Sequence, residues 1–118
     1  MAKEFEPIVV NRISYTTEIN GNITTDNDIR IDGKVTGDIT SLLRIVLSES
    51  GNIQGDIQCS NCDIAGVVNG NITVAETLTI QSTARIQGNI TAHKLVIEQG
   101  AVFSGHCKMK DISDEQAE

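Results

Sequence analysis

Apolar and polar residues alternate along this chain in short bursts, and the bursts recur at a nearly constant interval. The clearest burst reads apolar-x-Gly-x-apolar: Ile19-Asn20-Gly21-Asn22-Ile23, Val35-Thr36-Gly37-Asp38-Ile39, Ile53-Gln54-Gly55-Asp56-Ile57, Val68-Asn69-Gly70-Asn71-Ile72, Ile86-Gln87-Gly88-Asn89-Ile90 and Phe103-Ser104-Gly105-His106-Cys107. The glycines fall 16, 18, 15, 18 and 17 residues apart. Alternation with period two predicts strands, and self-similarity at a fixed interval predicts a solenoid in which each repeat is one winding.

Stacking the windings turns positions into columns. Two residues before each glycine stand Ile19, Val35, Ile53, Val68, Ile86 and Phe103; two after stand Ile23, Ile39, Ile57, Ile72, Ile90 and Cys107; four after stand Thr25, Ser41, Cys59, Val74, Ala92 and Met109. These three columns point inward. Their neighbours, Asn22, Asp38, Asp56, Asn71, Asn89 and His106, then Thr24, Thr40, Gln58, Thr73, Thr91 and Lys108, point outward. A further strand per winding follows from Ile29 and Ile31, Ile45 and Leu47, Cys62 and Ile64, Leu78 and Ile80, Leu95 and Ile97. Gly33, Gly51, Gly66 and Gly100 mark tight corners after it, with Thr83 in the glycine's place once. The expectation is an all-β chain: a single right-handed parallel β-helix of about six rungs with three faces. Short flexible termini span residues 1–12 and 110–118, and the β-helix domain spans 13–109. The variable interval argues against a left-handed hexapeptide helix, whose period is a multiple of six.

Composition narrows the function. Aromatics are 3% with no Trp, so the core must be filled by β-branched and aliphatic side chains. A formal charge of -7 argues against a nucleic-acid partner, which needs clustered Lys and Arg. No stretch approaches the roughly 20 apolar residues of a membrane span, and residues 1–6 lack the apolar region of a secretory signal. The expected location is cytoplasmic, with Cys59, Cys62 and Cys107 as reduced thiols.

The run from Ile29 through Gly33 and Gly37 to Ile39, together with Gly100-Ala101-Val102-Phe103-Ser104-Gly105-His106-Cys107-Lys108-Met109, strongly resembles the bactofilins, bacterial polymer-forming cytoskeletal proteins. The resemblance covers about residues 13 to 109. It implies a right-handed β-helix of six windings that polymerises end to end without nucleotide, giving non-polar filaments that scaffold cell-shape or cell-wall machinery. On this reading the partners are copies of the chain itself, with cell-wall or cell-shape proteins as clients. The one-proline sequence, ending nine residues after Met109, departs from the long, often proline-rich tails of many bactofilins.

A β-helix closes laterally on itself but leaves a rung of unpaired backbone groups at each end, so its ends are adhesive unless capped. Phe103, Cys107 and Met109 are the expected C-terminal polymerisation contact, and Ile13, Ile19 and Ile23 the N-terminal one. Phe5, Ile8, Val9 and Val10 are candidates for contact with the inner face of the cytoplasmic membrane; the competing reading packs them over the first rung. A short apolar patch binds a bilayer only marginally by itself and gains by avidity along a filament.

Other chemistry fares poorly. Cys59-Ser60-Asn61-Cys62 has zinc-knuckle spacing, but His106-Cys107 lies two to three rungs away, roughly 10 to 14 Å, too far for one ion. Core cysteines are the plainer reading. The Gly-Asp and Gly-Asn pairs lack the paired glycines and short period of calcium-binding β-rolls. His93 and His106 are the only candidate bases, and neither has a nucleophile or carboxylate constellation beside it. No Gly-rich phosphate loop with Lys occurs. The expectation is therefore no enzyme, no cofactor and no metal. An alternative is a β-helical binding module, with ice or carbohydrate on the outward face of Thr24, Thr40, Thr73 and Thr91; Gln58 and Lys108 interrupt that column.

Overall fold

The computed structural model describes residues 11–109. They form a parallel β-solenoid of six rungs and three faces, and no helix is present among the described residues. The first face is built from β3 (Ile23–Thr25), β6 (Ile39–Ser41), the opening halves of β9 (Ile57–Ile64), β11 (Ile72–Ile80) and β13 (Ile90–Ile97), and β15 (Cys107–Met109). The second comprises β1 (Asn11–Ile13), β4 (Ile29–Ile31), β7 (Arg44–Leu47) and the closing halves of β9, β11 and β13, which run around the corner without a break. The third comprises β2 (Glu18–Asn20), β5 (Lys34–Thr36), β8 (Asn52–Gln54), β10 (Val67–Asn69), β12 (Arg85–Gln87) and β14 (Val102–Ser104). Among the described residues pairing starts with Asn11 opposite Ile29, two residues before the expected domain start.

Register places like on like. Ile39, Ile57, Ile72 and Ile90 stack in that order on successive rungs, and Ile53 lies between Val35 and Val68. A one-residue slip would turn every one of these side chains to solvent, so the columns fix the register as well as the stability. Ile31, Ile39, Ile45, Ile53, Ile64, Leu78 and Ile80 have no accessible surface. Each such side chain contributes about 1.5 to 3 kcal/mol relative to exposure.

Each glycine of the repeated phrase has φ between 143° and 152°, a region that side chains avoid. In the inner rungs the glycine is also a contact. A Cβ added at Gly37, Gly55, Gly70, Gly88 or Gly105 would run into the carbonyl of the phrase glycine one rung earlier, whereas Gly21 has open space there.

The residue after each glycine makes a ladder that the sequence did not suggest. Asn22 Oδ1 accepts the Asp38 backbone N–H (2.9 Å), Asp38 Oδ1 that of Asp56 (2.9 Å), Asp56 Oδ1 that of Asn71 (3.0 Å), Asn71 Oδ1 that of Asn89 (3.2 Å) and Asn89 Oδ1 that of His106 (3.3 Å). The pattern suggests Asp38 and Asp56 standing in solvent, with side-chain ladders left to Asn and Thr of neighbouring rungs; instead each Asp satisfies a backbone donor in the next rung. Asn and Asp interchange because both offer the same acceptor oxygen.

The corner between the second and third faces alternates in length over the first five rungs. It takes four residues at 14–17, two at 32–33, four at 48–51, two at 65–66, and four at both 81–84 and 98–101. The four-residue corners close as turns, with the N–H of Thr17, Gly51, Ala84 and Ala101 bonded to the carbonyl of Ser14, Ser48, Gln81 and Glu98. Ala84 thus takes the place of Gly51, and Thr83, expected to replace the glycine, instead donates its hydroxyl to the Ala65 carbonyl (2.7 Å), as Ser50 does to that of Asp32 (2.7 Å). The two-residue corners are recessed beneath these turns: Asp32 and Ala65 are buried, while Tyr15 on a four-residue corner is 72% exposed. The glycine spacing of 16, 18, 15 and 18 is the direct record of this alternation.

Candidate functional site at the two open ends

The strand order terminates at β14 and β15 on one side and at β1, β2 and β3 on the other, so two rungs have an outer edge with no neighbour among the described residues. At the C-terminal end Phe103 pairs with Ile86, Cys107 with Ile90 and Met109 with Ala92, which continues all three inward columns. Phe103 is half-buried, Cys107 is exposed and Met109 is 52% exposed. The apolar surface spreads wider than the three residues chosen from sequence. Ile97, an inward column residue, is 50% exposed, and Val96 and Val102, at outward positions, add 49% and 48%. The same two outward columns hold Val46 and Val67 in inner rungs among Arg12, Arg30, Asp63, Thr79, Lys34 and Arg85, so the two valines carry no signal in the sequence that marks the last rung.

The N-terminal end differs. Ile13 is nearly covered at 8%, while Ile19 and Ile23 are half-buried around a recess of about 330 Å³ that Ile29 and Thr25 also line. Polar groups frame it: the Asn11 side-chain amide donates to Thr25 Oγ1 (2.9 Å) and the Asp28 carbonyl (3.3 Å). Arg12 donates through Nε and Nη2 to Asp32 Oδ2 (3.2 and 3.1 Å), and Arg30 Nε to Asp32 Oδ1 (3.0 Å). Hydrogen bonding from Ser48, with the guanidinium groups of Arg30 and Arg12, outweighs burial and holds the Asp32 carboxyl below its ordinary pKa. Phe5, Ile8, Val9 and Val10 lie outside the described residues.

The remaining sequence candidates separate cleanly. Cys59 and Cys62 are buried, and their hydrogen bond with burial pushes the Cys62 thiol well up. They are core thiols, as expected. Cys107 occupies an inward position but is exposed and not a core thiol, since among the described residues no further strand pairs beyond β15. No group of three or more His, Cys, Asp or Glu side chains capable of holding a metal occurs among the described residues. The column Thr24, Thr40, Gln58, Thr73, Thr91 and Lys108 is aligned in register, with the two interruptions in place. His106 is exposed and His93 half-buried.

Comparison with known proteins gives the same picture. The bactofilin family model, described as polymer-forming cytoskeletal, matches residues 11–108. Bactofilin BacO of Myxococcus xanthus (strain DK1622) is 35% identical over 97 residues, 82% of this chain and 77% of BacO. Bactofilin BacP of the same organism is 32% identical over 94 residues, 80% of this chain but only 39% of BacP. No solved structure matches.

Proposed function

The chain belongs to the bactofilin family of polymer-forming cytoskeletal proteins, and from that premise we propose that it assembles end to end, without nucleotide, into non-polar filaments that scaffold cell-shape or cell-wall machinery. The observation that carries the reading is the bare C-terminal rung, where Phe103, Cys107, Met109 and Ile97 continue the buried columns into solvent. A second copy is the surface that matches it in shape and in unpaired backbone edge.

Like ends meet in this proposal: Phe103, Cys107 and Met109 against themselves, and Ile13, Ile19 and Ile23 against themselves. Two alternating isologous contacts give an open filament with no polarity. The side-chain ladder supports like-to-like contact. In head-to-tail stacking the Asn22 N–H of one copy would follow His106 of the next, where an imidazole replaces the Asn or Asp oxygen that accepts at every earlier step. The scaffold acts through binding and not through catalysis, with no cofactor, metal or nucleic-acid partner. We place it in the cytoplasm, held to the inner membrane face through Phe5, Ile8, Val9 and Val10. Among the described residues no helix is long and apolar enough to cross a membrane.

Electron microscopy of the purified chain without nucleotide tests assembly: thin filaments are expected. Phe103→Arg places an unpaired charge in a desolvated contact and should leave folded dimers joined through the N-terminal end. Folded Phe103→Arg protein that still grows long filaments overturns the assignment of the C-terminal contact. Deleting residues 2–10 should abolish pelleting with anionic liposomes while filaments persist, and undiminished pelleting removes the membrane assignment.

A further inference from the structure

The alternating corners form a comb down one edge of the rod. Corners 14–17, 48–51 and 81–84 project, and corners 32–33 and 65–66 are recessed between them. The recesses are tied in place: Ser50 Oγ grips the Asp32 carbonyl, Thr83 Oγ1 grips that of Ala65, and a Cβ on Gly33 or Gly66 would strike carbonyls of the preceding projecting corner. Together the gaps make a groove of about 560 Å³. Its two recesses differ in chemistry. The first has Asp32 as its floor with Arg12 and Arg30 bonded to it, one net positive charge; the second has Ala65 as its floor, small and apolar. The projections differ in the matching sense, since the first carries Tyr15, 72% exposed, and the second carries exposed Glu49.

We infer that this edge is a lateral interface between two antiparallel copies of the chain, with each projecting corner seated in a recess of the other. Antiparallel pairing relates rung 1 to rung 4 and rung 2 to rung 3. That register places Tyr15 over Ala65 and Glu49 against the Arg12 and Arg30 pair, and the two-fold axis repeats both contacts. It is the antiparallel register that fills both recesses without setting the first projection against that of residues 98–101. The occupant is a second copy because projection spacing and recess spacing are the same two rungs, and because aromatic meets alanine where acid meets arginine. This contact uses none of the apolar residues assigned to the end-to-end contacts and shares only Arg12 with the frame of the N-terminal recess, so it goes beyond end-to-end assembly and provides a side-by-side association of rods.

The test is a cysteine pair, Tyr15→Cys with Ala65→Cys, in a Cys107→Ser background that removes the exposed native thiol. Within one chain the two positions are three rungs apart, roughly 14 Å, beyond disulfide reach, so mild oxidation links them only between copies. Covalent dimers are expected from the double-cysteine protein and not from either single one. Glu49→Lys without added cysteines should lower the bundled fraction that pellets at low speed about tenfold at low salt, with the filament fraction that pellets at high speed unchanged. Absence of cross-linking in protein that forms filaments overturns the interface. So does a dimer from Tyr15→Cys alone, which would mean projections meeting each other, or cross-linking that appears only after removal of residues 1–10, which would mean the chain's own amino-terminal segment fills the groove. Cross-linked dimers in protein that never forms filaments would support this interface while sinking the end-to-end reading.

Discussion

The two ends of the rod are built from the same columns and present different surfaces. At the N-terminal end Ile13 is 8% exposed and polar bonds from Asn11 and Arg12 frame the recess. At the C-terminal end Met109, Ile97, Val96 and Val102 are each about half exposed around Phe103 and Cys107. Stacked inward positions make a core only when a rung follows; the same residue types at the last described rung make an exposed apolar face. The end with more bare apolar surface should supply the tighter of two like-to-like contacts, since association energy tracks apolar area removed from water when polar groups are equally satisfied.

The largest expected effect tests that difference directly. Phe103→Arg and Ile19→Arg, its counterpart at the other end, should each stop growth at dimers, but the Phe103→Arg dimers, held by the N-terminal contact, should dissociate at concentrations where the Ile19→Arg dimers, held by the C-terminal contact, persist; sedimentation velocity separates the cases. Equal failure of both variants at every concentration would erase the asymmetry. Next in size is a contrast between the middle and the end of the glycine column. Gly70→Ala forces a Cβ into the Gly55 carbonyl and should cost about 3 kcal/mol or more, while Gly21→Ala meets open space and carries only the penalty of positive φ, about 1 kcal/mol. Thermal unfolding of the two should differ by several degrees in Tm.

Smaller is a pH effect at the N-terminal end. The folded carboxyl of Asp32 titrates below its unfolded value, so its stabilisation is complete above the unfolded pKa and disappears as pH falls through the folded one. Asp32→Asn should therefore lower stability at neutral pH and narrow the gap to the parent in strong acid, measured by denaturant melts across that range. Smallest is a labelling difference: Cys107 should react with a maleimide quickly in dispersed protein and slowly in filaments, with Cys59 and Cys62 inert in both. A Cys107 rate unmoved by assembly would exclude it from the contact.

Much of this was legible in the sequence, because β-helix columns convert spacing directly into contact. Phe103, Cys107 and Met109 stand together at one end as read from their glycine offsets, and Ile19 and Ile23 flank the recess at the other. Two features escaped. The Asn22 to His106 ladder looked like a solvated polar column because a side chain bonding a backbone N–H one rung on leaves the same Asn/Asp pattern as one facing water. The corners escaped because the spacing of 16, 18, 15 and 18 was used only to weigh handedness. Thr83 was grouped with Gly33, Gly51 and Gly66, whose counterpart is the neighbouring Ala84; of the corner glycines, Gly100 shares the place of Thr83. Val96 and Val102 went unnoticed for a different reason: Val46 and Val67 hold the same outward columns in inner rungs, so an outward valine reads as ordinary strand composition.

Alternating corners also set the increment by which such a rod can be lengthened. One rung added alone within the alternating stretch would put two projections or two recesses side by side, as 81–84 and 98–101 already lie, but a cassette of two, such as the 33 residues between Gly37 and Gly70, keeps both corner types and the Asn/Asp ladder in phase. Duplicating that cassette should extend the molecule by about 10 Å and leave both ends unchanged. The fold thus behaves as a ruler graduated in pairs of rungs.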